Sequence, residues 1–562
     1  VFSFPLFTLA FAVPGTLACT ACVSVASGAD PAEPPQAFYT VTAEIALSRH
    51  EARVAALQYA AAAVGSRDSG LLRRAADVSA ECLQPTLTSG VAARWLEVDP
   101  AALDAHRASA KAALELHRIE QSAAHYRVVL NSSPRGADAE FSALETELSA
   151  SGNIYGARQV ADLLAGSFPT SAAALRLQAF ATLRADDPAA AVRAFEAALA
   201  AVPASPAPGG SAAGAPPEGS AEAARRELTQ GLWRAQILAG NSAEPLAQAM
   251  DLVERADTTE NRLDYAMLLV AAQQASAARA QLATLSLDPG AAPIALRLLG
   301  LMDFQDGRLD EASARFAELV AMGKFPDDAL FYLGMISERH KDPQRALRLY
   351  AEVQNGDNAV PALLRAAAIL KSTDAAAAAD DLLDQLLADV PQRAPEILAA
   401  RSRIEADAGD LPKALAVLTM GEAEYPDSME LRYAKATFSE EHGQLAAALR
   451  ELKAIAALRP GDPAALNAYG YTLADNHRQL SLARRLLERA HAAAPMNASI
   501  LDSLGWVLFR QGHGEQALGY LNAAFADDHD VEVAAHLGEV LWQLGRRPDA
   551  ERIWSEAARA GV

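Results

Sequence analysis

Cysteine is almost missing from this chain, with three residues in 562. That excludes the disulfide framework of a small stapled domain. Aromatic residues make up only 6%, and alanine dominates the apolar half of the composition. Alanine is the best helix former, while the Val, Ile, Tyr and Phe that build sheets are sparse, so the expected fold class is all-α. Basic residues are outnumbered, 49 Lys and Arg against 70 Asp and Glu, a net charge of −21. A phosphate backbone would be repelled by that field, which argues against nucleic acid as a partner. The signatures of an enzyme are missing as well. There is no H-E-x-x-H, no G-x-S-x-G and no phosphate-binding G-x-x-x-x-G-K, and Gly209-Gly210 has neither a strand before it nor a lysine after it. Five of the eleven histidines fall between His477 and His536. They are spread one to a helix or loop, without the spacing that sets two ligands on one face. His536 therefore reads as a packing residue, and neither metal nor cofactor is expected.

Long apolar runs are confined to the beginning. Phe2 to Val13 is uncharged and apolar and leads into Pro14-Gly15, as in an export signal. Thr16-Leu17-Ala18-Cys19 then resembles a bacterial lipoprotein box, with Cys19 the first candidate for lipidation and Cys22 the second. The basic residues that usually open such a signal are missing, since the first Lys or Arg is Arg49. After this segment no apolar run reaches the roughly 18 residues that a membrane helix needs.

What the chain does have is a period. Counting back from Gly505 in steps of about 34 residues meets Gly470, Ala436, Ser402, Ala367, Gly334, Gly300 and Ala266, and one step forward meets Gly538. Earlier members are Ala179, Ala110, Ala76 and Ala43, with Glu145 the exception. Twelve residues after each lies a second small-residue column, which includes Ala312, Ala346, Ala414, Ala517 and Ala550. Four further on stands a bulky apolar residue, among them Tyr59, Tyr126, Phe195, Phe316, Tyr350, Leu521 and Trp554. Prolines such as Pro169, Pro426 and Pro460 close many units. Small residues at the eighth and twentieth places let two antiparallel helices approach. The bulky residue at the twenty-fourth is expected to fill the groove between units. Gly152, Gly307, Gly409, Gly443 and Gly512 supply the turn inside the hairpin. No unit buries its apolar face alone, so the array is stabilised by stacking. This is the pattern of the tetratricopeptide repeat, a right-handed superhelical solenoid of helix-turn-helix units.

The chain then divides into an export signal with its lipobox (1–22), a Pro-rich tether (23–35) and an N-terminal repeat block (36–202). A Pro/Gly/Ala/Ser-rich insertion (203–220), an irregular helical unit (221–258) and a C-terminal repeat block (259–562) follow. In the irregular unit Gly231-Leu232-Trp233 falls out of the 34-residue register. The residue after each eighth position should face the groove of the superhelix. That place holds Met267, Leu301, Met335, Arg403, Tyr471, Trp506 and Glu539. Met335, Arg403, Tyr471, Trp506 and Glu539 are the partner-binding candidates, because aromatic and Arg anchors on a curved surface are the usual hot spots. Packing of Tyr471 and Trp506 against neighbouring helices is the competing reading.

Three stretches carry a family resemblance: Leu466-Asn467-Ala468-Tyr469-Gly470-Tyr471, Ile500-Leu501-Asp502-Ser503-Leu504-Gly505-Trp506 and Ala535-His536-Leu537-Gly538-Glu539. They resemble consecutive units of a proteobacterial tetratricopeptide lipoprotein family. The resemblance implies a non-enzymatic adaptor, lipid-anchored in the outer membrane and facing the periplasm. Such an adaptor binds and activates a carboxy-terminal processing protease and presents substrates such as cell-wall hydrolases. The alternative is a structural component of polysaccharide export or outer-membrane assembly.

Overall fold

The computed structural model describes residues 35–202, 220–373, 375–527 and 530–560. Among them lie thirty α-helices, one short 3-10 turn at Pro391–Arg393 and no strand. Consecutive helices pair into fifteen antiparallel hairpins, from Gln36–Ser48 with Ala52–Ala63 to Val531–Gln543 with Arg547–Ala560. Each hairpin packs on the next, so the core is a continuous stripe and not one central cluster. This is the expected all-α tetratricopeptide-type solenoid. The export signal, the lipobox cysteines Cys19 and Cys22 and most of the tether lie outside the described residues.

The two small columns meet within each hairpin. Ala312, Ala346, Ala517 and Ala550 are fully buried. A Cβ on Gly470 or Gly505 would stand 3.2 Å from the carbonyl oxygen of Ala483 or Ala517 in the facing helix. Serine can replace alanine here only by bonding across the same gap. Ser122 Oγ donates to the Ala110 carbonyl at 2.8 Å, and Ser402 Oγ to that of Ala414 at 3.0 Å. The bulky column departs from expectation. Its side chains lie over the glycines of their own units, and are not confined to the groove between units. A Cβ at Gly300 would meet the Phe316 ring, at Gly334 that of Tyr350, at Gly505 Leu521 and at Gly538 Trp554. Glycine leaves the space into which the ring is pressed.

Glu145 shows what the column does when it fails. Its helix, Ala137–Ala150, scarcely touches its partner Ile154–Ser167, which packs instead on Ile119–Ser132 of the preceding unit. A glutamate cannot fit where two backbones approach, and the hairpin opens around it. The turn of this unit also differs. Gly307, Gly409, Gly443 and Gly512 take left-handed φ between +72° and +86° as expected, but Gly152 does not.

The stack runs on past the insertion. Helix Ser220–Leu238 packs directly on Pro188–Ala201, and Gly231 receives the Phe195 ring of the preceding unit, where the other column glycines receive a side chain of their own unit. Arg225 donates to the Val202 carbonyl at 2.7 Å. Helices Ser220–Leu238 and Ala243–Arg255 form a hairpin of the array, with Gly231 35 residues before Ala266. The two helices of this unit touch only lightly, as in the opened Glu145 hairpin, so the unit departs from the regular hairpins in packing as well as in register.

Candidate protein-binding site

The residues after the eighth position do not share one environment. Met267, Arg403 and Glu539 are exposed, whereas Leu301, Met335 and Tyr471 are half-buried. Met335 packs into the clusters around Phe316 and Tyr350. Arg403 is held by Glu441 at 2.7 Å and Asp407 at 3.2 Å. Trp506 is the correction. It was expected to turn its indole toward solvent in the groove, yet it is 3% exposed. His536 stacks on one side at 4.0 Å between ring centroids, and Arg510 lies over the ring at 4.4 Å. The indole N–H donates to Asp475 Oδ1 at 3.2 Å. Tyr471 borders the same His536 at 6.1 Å and donates its hydroxyl to Glu532. The two aromatics are thus brought together, as the wall of a packed cluster. His536 is a packing residue as expected, and its Nδ1 lies 2.9 Å from Asp502. Burial raises the Asp502 carboxyl above its ordinary range, against the opposing pull of His536.

A larger site forms where sequence reasoning did not look. The superhelix comes round far enough for its two blocks to touch. Arg53 N–H donates to Glu424 Oε1 at 2.6 Å, Gln84 Nε2 to the Glu424 carbonyl at 2.7 Å, and Thr86 N–H to Asp427 Oδ2 at 3.1 Å. Further along, Asn497 Nδ2 donates to Asp186 Oδ2 at 3.3 Å. Leu83 and Tyr155 pack their side chains into clusters of the C-terminal block. The first and second hairpins meet the eleventh and the fifth meets the start of the fourteenth, so eight or nine hairpins lie between the partners of each contact.

Between these contacts lies a cavity of ≈ 1390 Å³. One wall is made by the first helices of hairpins two, three and four (Ser69–Glu81, Leu103–Glu115 and Ala137–Ala150). The other is made by the turns and helix starts around Gln392 to Glu396 and Tyr425 to Tyr433. Asp77, Lys111 and Thr146 line it, and each follows the eighth position of its unit. The opened Glu145 hairpin contributes Glu147 and Ala150 to the same wall.

The lining is mixed in charge. Arg107 pairs with Glu147 at 3.5 Å and also holds buried Glu140, while Lys111 reaches Glu147 at 3.1 Å. Burial pushes the Tyr425 hydroxyl up to about 12, helped by Glu424 and Cys82. The Cys82 thiol beside it is raised to about 11 by burial and then by Glu81 and Glu424, so it is a poor nucleophile. Burial also raises the hydroxyl of Tyr433, a residue of the lining whose oxygen is buried without a hydrogen-bond partner in the protein. Among the described residues no group of three or more His, Cys, Asp and Glu could hold a metal ion, and no helix is long and apolar enough to cross a membrane. The lining combines an apolar wall with charges of both signs.

No family model matches the chain. It is 30% identical over 213 residues to a TPR repeat-containing protein of Pseudomonas aeruginosa, a match that spans 38% of this chain and 36% of that relative. Among solved structures it is similar to a thermophilic TPR protein of Thermus thermophilus, with 20% identity, 29% of this chain and 89% of the other covered, and a TM-score of 0.27. It is similar also to yeast Tom70, with 12% identity, 93% and 91% covered, and a TM-score of 0.33. The sequence columns, the fifteen stacked hairpins and the Pseudomonas relative agree on one description, a helical-repeat scaffold of the tetratricopeptide type.

Proposed function

We propose that this scaffold is a periplasm-facing adaptor, held at the outer membrane by a lipid on Cys19 or Cys22. In this reading it binds and activates a carboxy-terminal processing protease and presents protein substrates to it. The observation that supports the reading is the cavity between hairpins two to four and eleven to twelve. Its ≈ 1390 Å³ lies above the roughly 300–1,000 Å³ of ligand pockets, roomier than a small metabolite needs, and its mixed lining suits an extended polypeptide. No chemistry is required of the scaffold. Holding a protease and a substrate on one molecule raises their effective concentration, to the order of millimolar for short connections.

A pull-down with the lipid-free chain tests the partner. Recovery of a serine protease with a PDZ-like domain supports the adaptor, whereas a porin or a polysaccharide synthase points to envelope assembly. The cavity is tested separately by Thr146→Trp combined with Asp77→Arg, which narrows it and alters its charge at two exposed positions. Capture of the partner should fall tenfold or more while the melting midpoint stays within about two degrees. Unchanged capture removes the cavity from the mechanism.

A further inference from the structure

The two ends of the solenoid are finished differently. The last described helix, Arg547–Ala560, shows solvent Arg547, Glu551, Arg552 and Ser555, and Trp554 is its one large exposed apolar residue among those described. A polar outer face is what a terminal repeat needs to stay soluble. The first helix, Gln36–Ser48, does the opposite. Phe38, Val41 and Ile45 are 51%, 59% and 44% exposed. Spaced by three and four residues, they form one stripe on the helix. Val54 and Leu57 of the second helix are 43% and 42% exposed in the same unit. No other helix in the described residues exposes three large apolar side chains at such spacing.

We propose that this face of the first hairpin is a docking surface for a lipid bilayer, which holds the solenoid by its N-terminal end against the membrane. The inference rests on the reading that the chain before Pro35 keeps the protein at a membrane. Three observations favour a bilayer over other occupants. The apolar stripe sits at the end from which the chain leads to Cys22 and Cys19. Gln36 lies fourteen to seventeen positions after those cysteines, a reach of roughly 50–60 Å at full extension, so an anchored chain keeps its first hairpin near the lipid. The hairpin is also less acidic than the rest of the molecule. Residues 36–63 hold two Arg and two Glu, a net charge of zero, in a chain of net charge −21, so an anionic surface repels this end less than the remainder. Finally, the patch is small. Five half-exposed side chains offer on the order of 400 Å², about half of what one partner gives to a standard interface. That is little for a stable dimer of two copies, but it suits shallow insertion of Phe, Val and Ile side chains beside a tether.

The test supplies the tether independently of acylation. The full chain with a hexahistidine tag ahead of residue 1 is attached to phosphatidylethanolamine–phosphatidylglycerol vesicles through a nickel-chelating lipid, and brominated acyl chains serve as quencher. In Val41→Trp the added fluorescence should shift to the blue on vesicle addition and be quenched by at least a third. In Leu287→Trp, at a site 83% exposed just after the seventh hairpin, neither should occur. A Val41→Trp signal that stays in water overturns the proposal. A signal already blue before vesicles are added does so too, because the face is then covered by the chain's own N-terminal residues. Concentration-dependent dimerisation in solution that is abolished by Val41→Asp assigns the face to a second copy and equally overturns it. Whether Cys19 or Cys22 carries a lipid is read separately, by mass spectrometry of the native N-terminus, so the two readings fail independently.

Discussion

Trp506 and Met267 hold the same place in their units, yet 3% of one and 50% of the other is exposed. The position fixes the direction of the Cα–Cβ bond and nothing more. What covers Trp506 comes from one turn along its own helix, through Arg510, and from the next unit, through His536. Neither could be deduced from the column. The columns themselves were legible, because backbones in contact tolerate only Gly, Ala or Ser, and that restriction repeats with the hairpin. The indole is core, so its loss leaves a cavity. Trp506→Ala should lower stability by about 3–5 kcal/mol, read from denaturant unfolding. Partner affinity of the folded fraction should hardly change. A variant with wild-type stability and weakened binding would return Trp506 to the partner site.

At the scale of the element, the hairpins are joined by buried ion clusters as well as by apolar contact. Asp303 of the eighth hairpin is 1% exposed and faces Arg279 of the seventh, with Arg308 and Arg315 of its own unit. Burial alone would raise its carboxyl, but hydrogen bonds and charge from Arg315 and Arg279 outweigh that and hold it below the ordinary range. A carboxyl that titrates lower in the folded chain than its unfolded value of about 3.9 stabilises the fold above that pH. The contribution is lost as the pH falls toward the folded value. Asp303→Asn should therefore cost about 3 kcal/mol near neutrality, since it leaves three arginines short of their buried partner. The cost should shrink as the pH is lowered below about 4. A difference from wild type that does not vary between pH 7 and pH 3 would show that the carboxylate charge is not what joins these units. The cluster was hidden in the sequence because Asp303 sits among ordinary surface acids of the composition, and only stacking reveals which acid is inside. The unit that opens with Ser220–Leu238 is out of register in the sequence and irregular in packing: Gly231, 35 residues before Ala266, takes the Phe195 ring of the preceding unit.

The return of the superhelix upon itself belongs to the whole molecule, and no periodicity announces it. The hydrogen bonds that make it join residues 311 to 371 positions apart. They arise because small rotations between hairpins add up until the second stands beside the eleventh. Sequence alone supplied the units, and the angle between them decided where the cavity would be. The contact is made by turns, with two apolar side chains, Leu83 and Tyr155, packed into clusters of the opposite block beside the hydrogen bonds of Arg53, Gln84, Thr86 and Asn497. It should therefore be separable from the folding of the hairpins. Leu83→Asp together with Tyr155→Asp places charges against apolar clusters that lie next to acidic Glu424 and Asp462. The helices keep all of their local contacts, so the far-ultraviolet circular dichroism should match wild type. The superhelix should open, with the radius of gyration from small-angle scattering rising by about a tenth or more, and Arg53 and Thr86 amides should lose protection from hydrogen exchange. Because the cavity exists only between the two turns, partner capture should fall in the same variant. If the radius of gyration stays at the wild-type value while helicity is intact, the turns are held together by something other than these two side chains, and the cavity does not depend on the clasp.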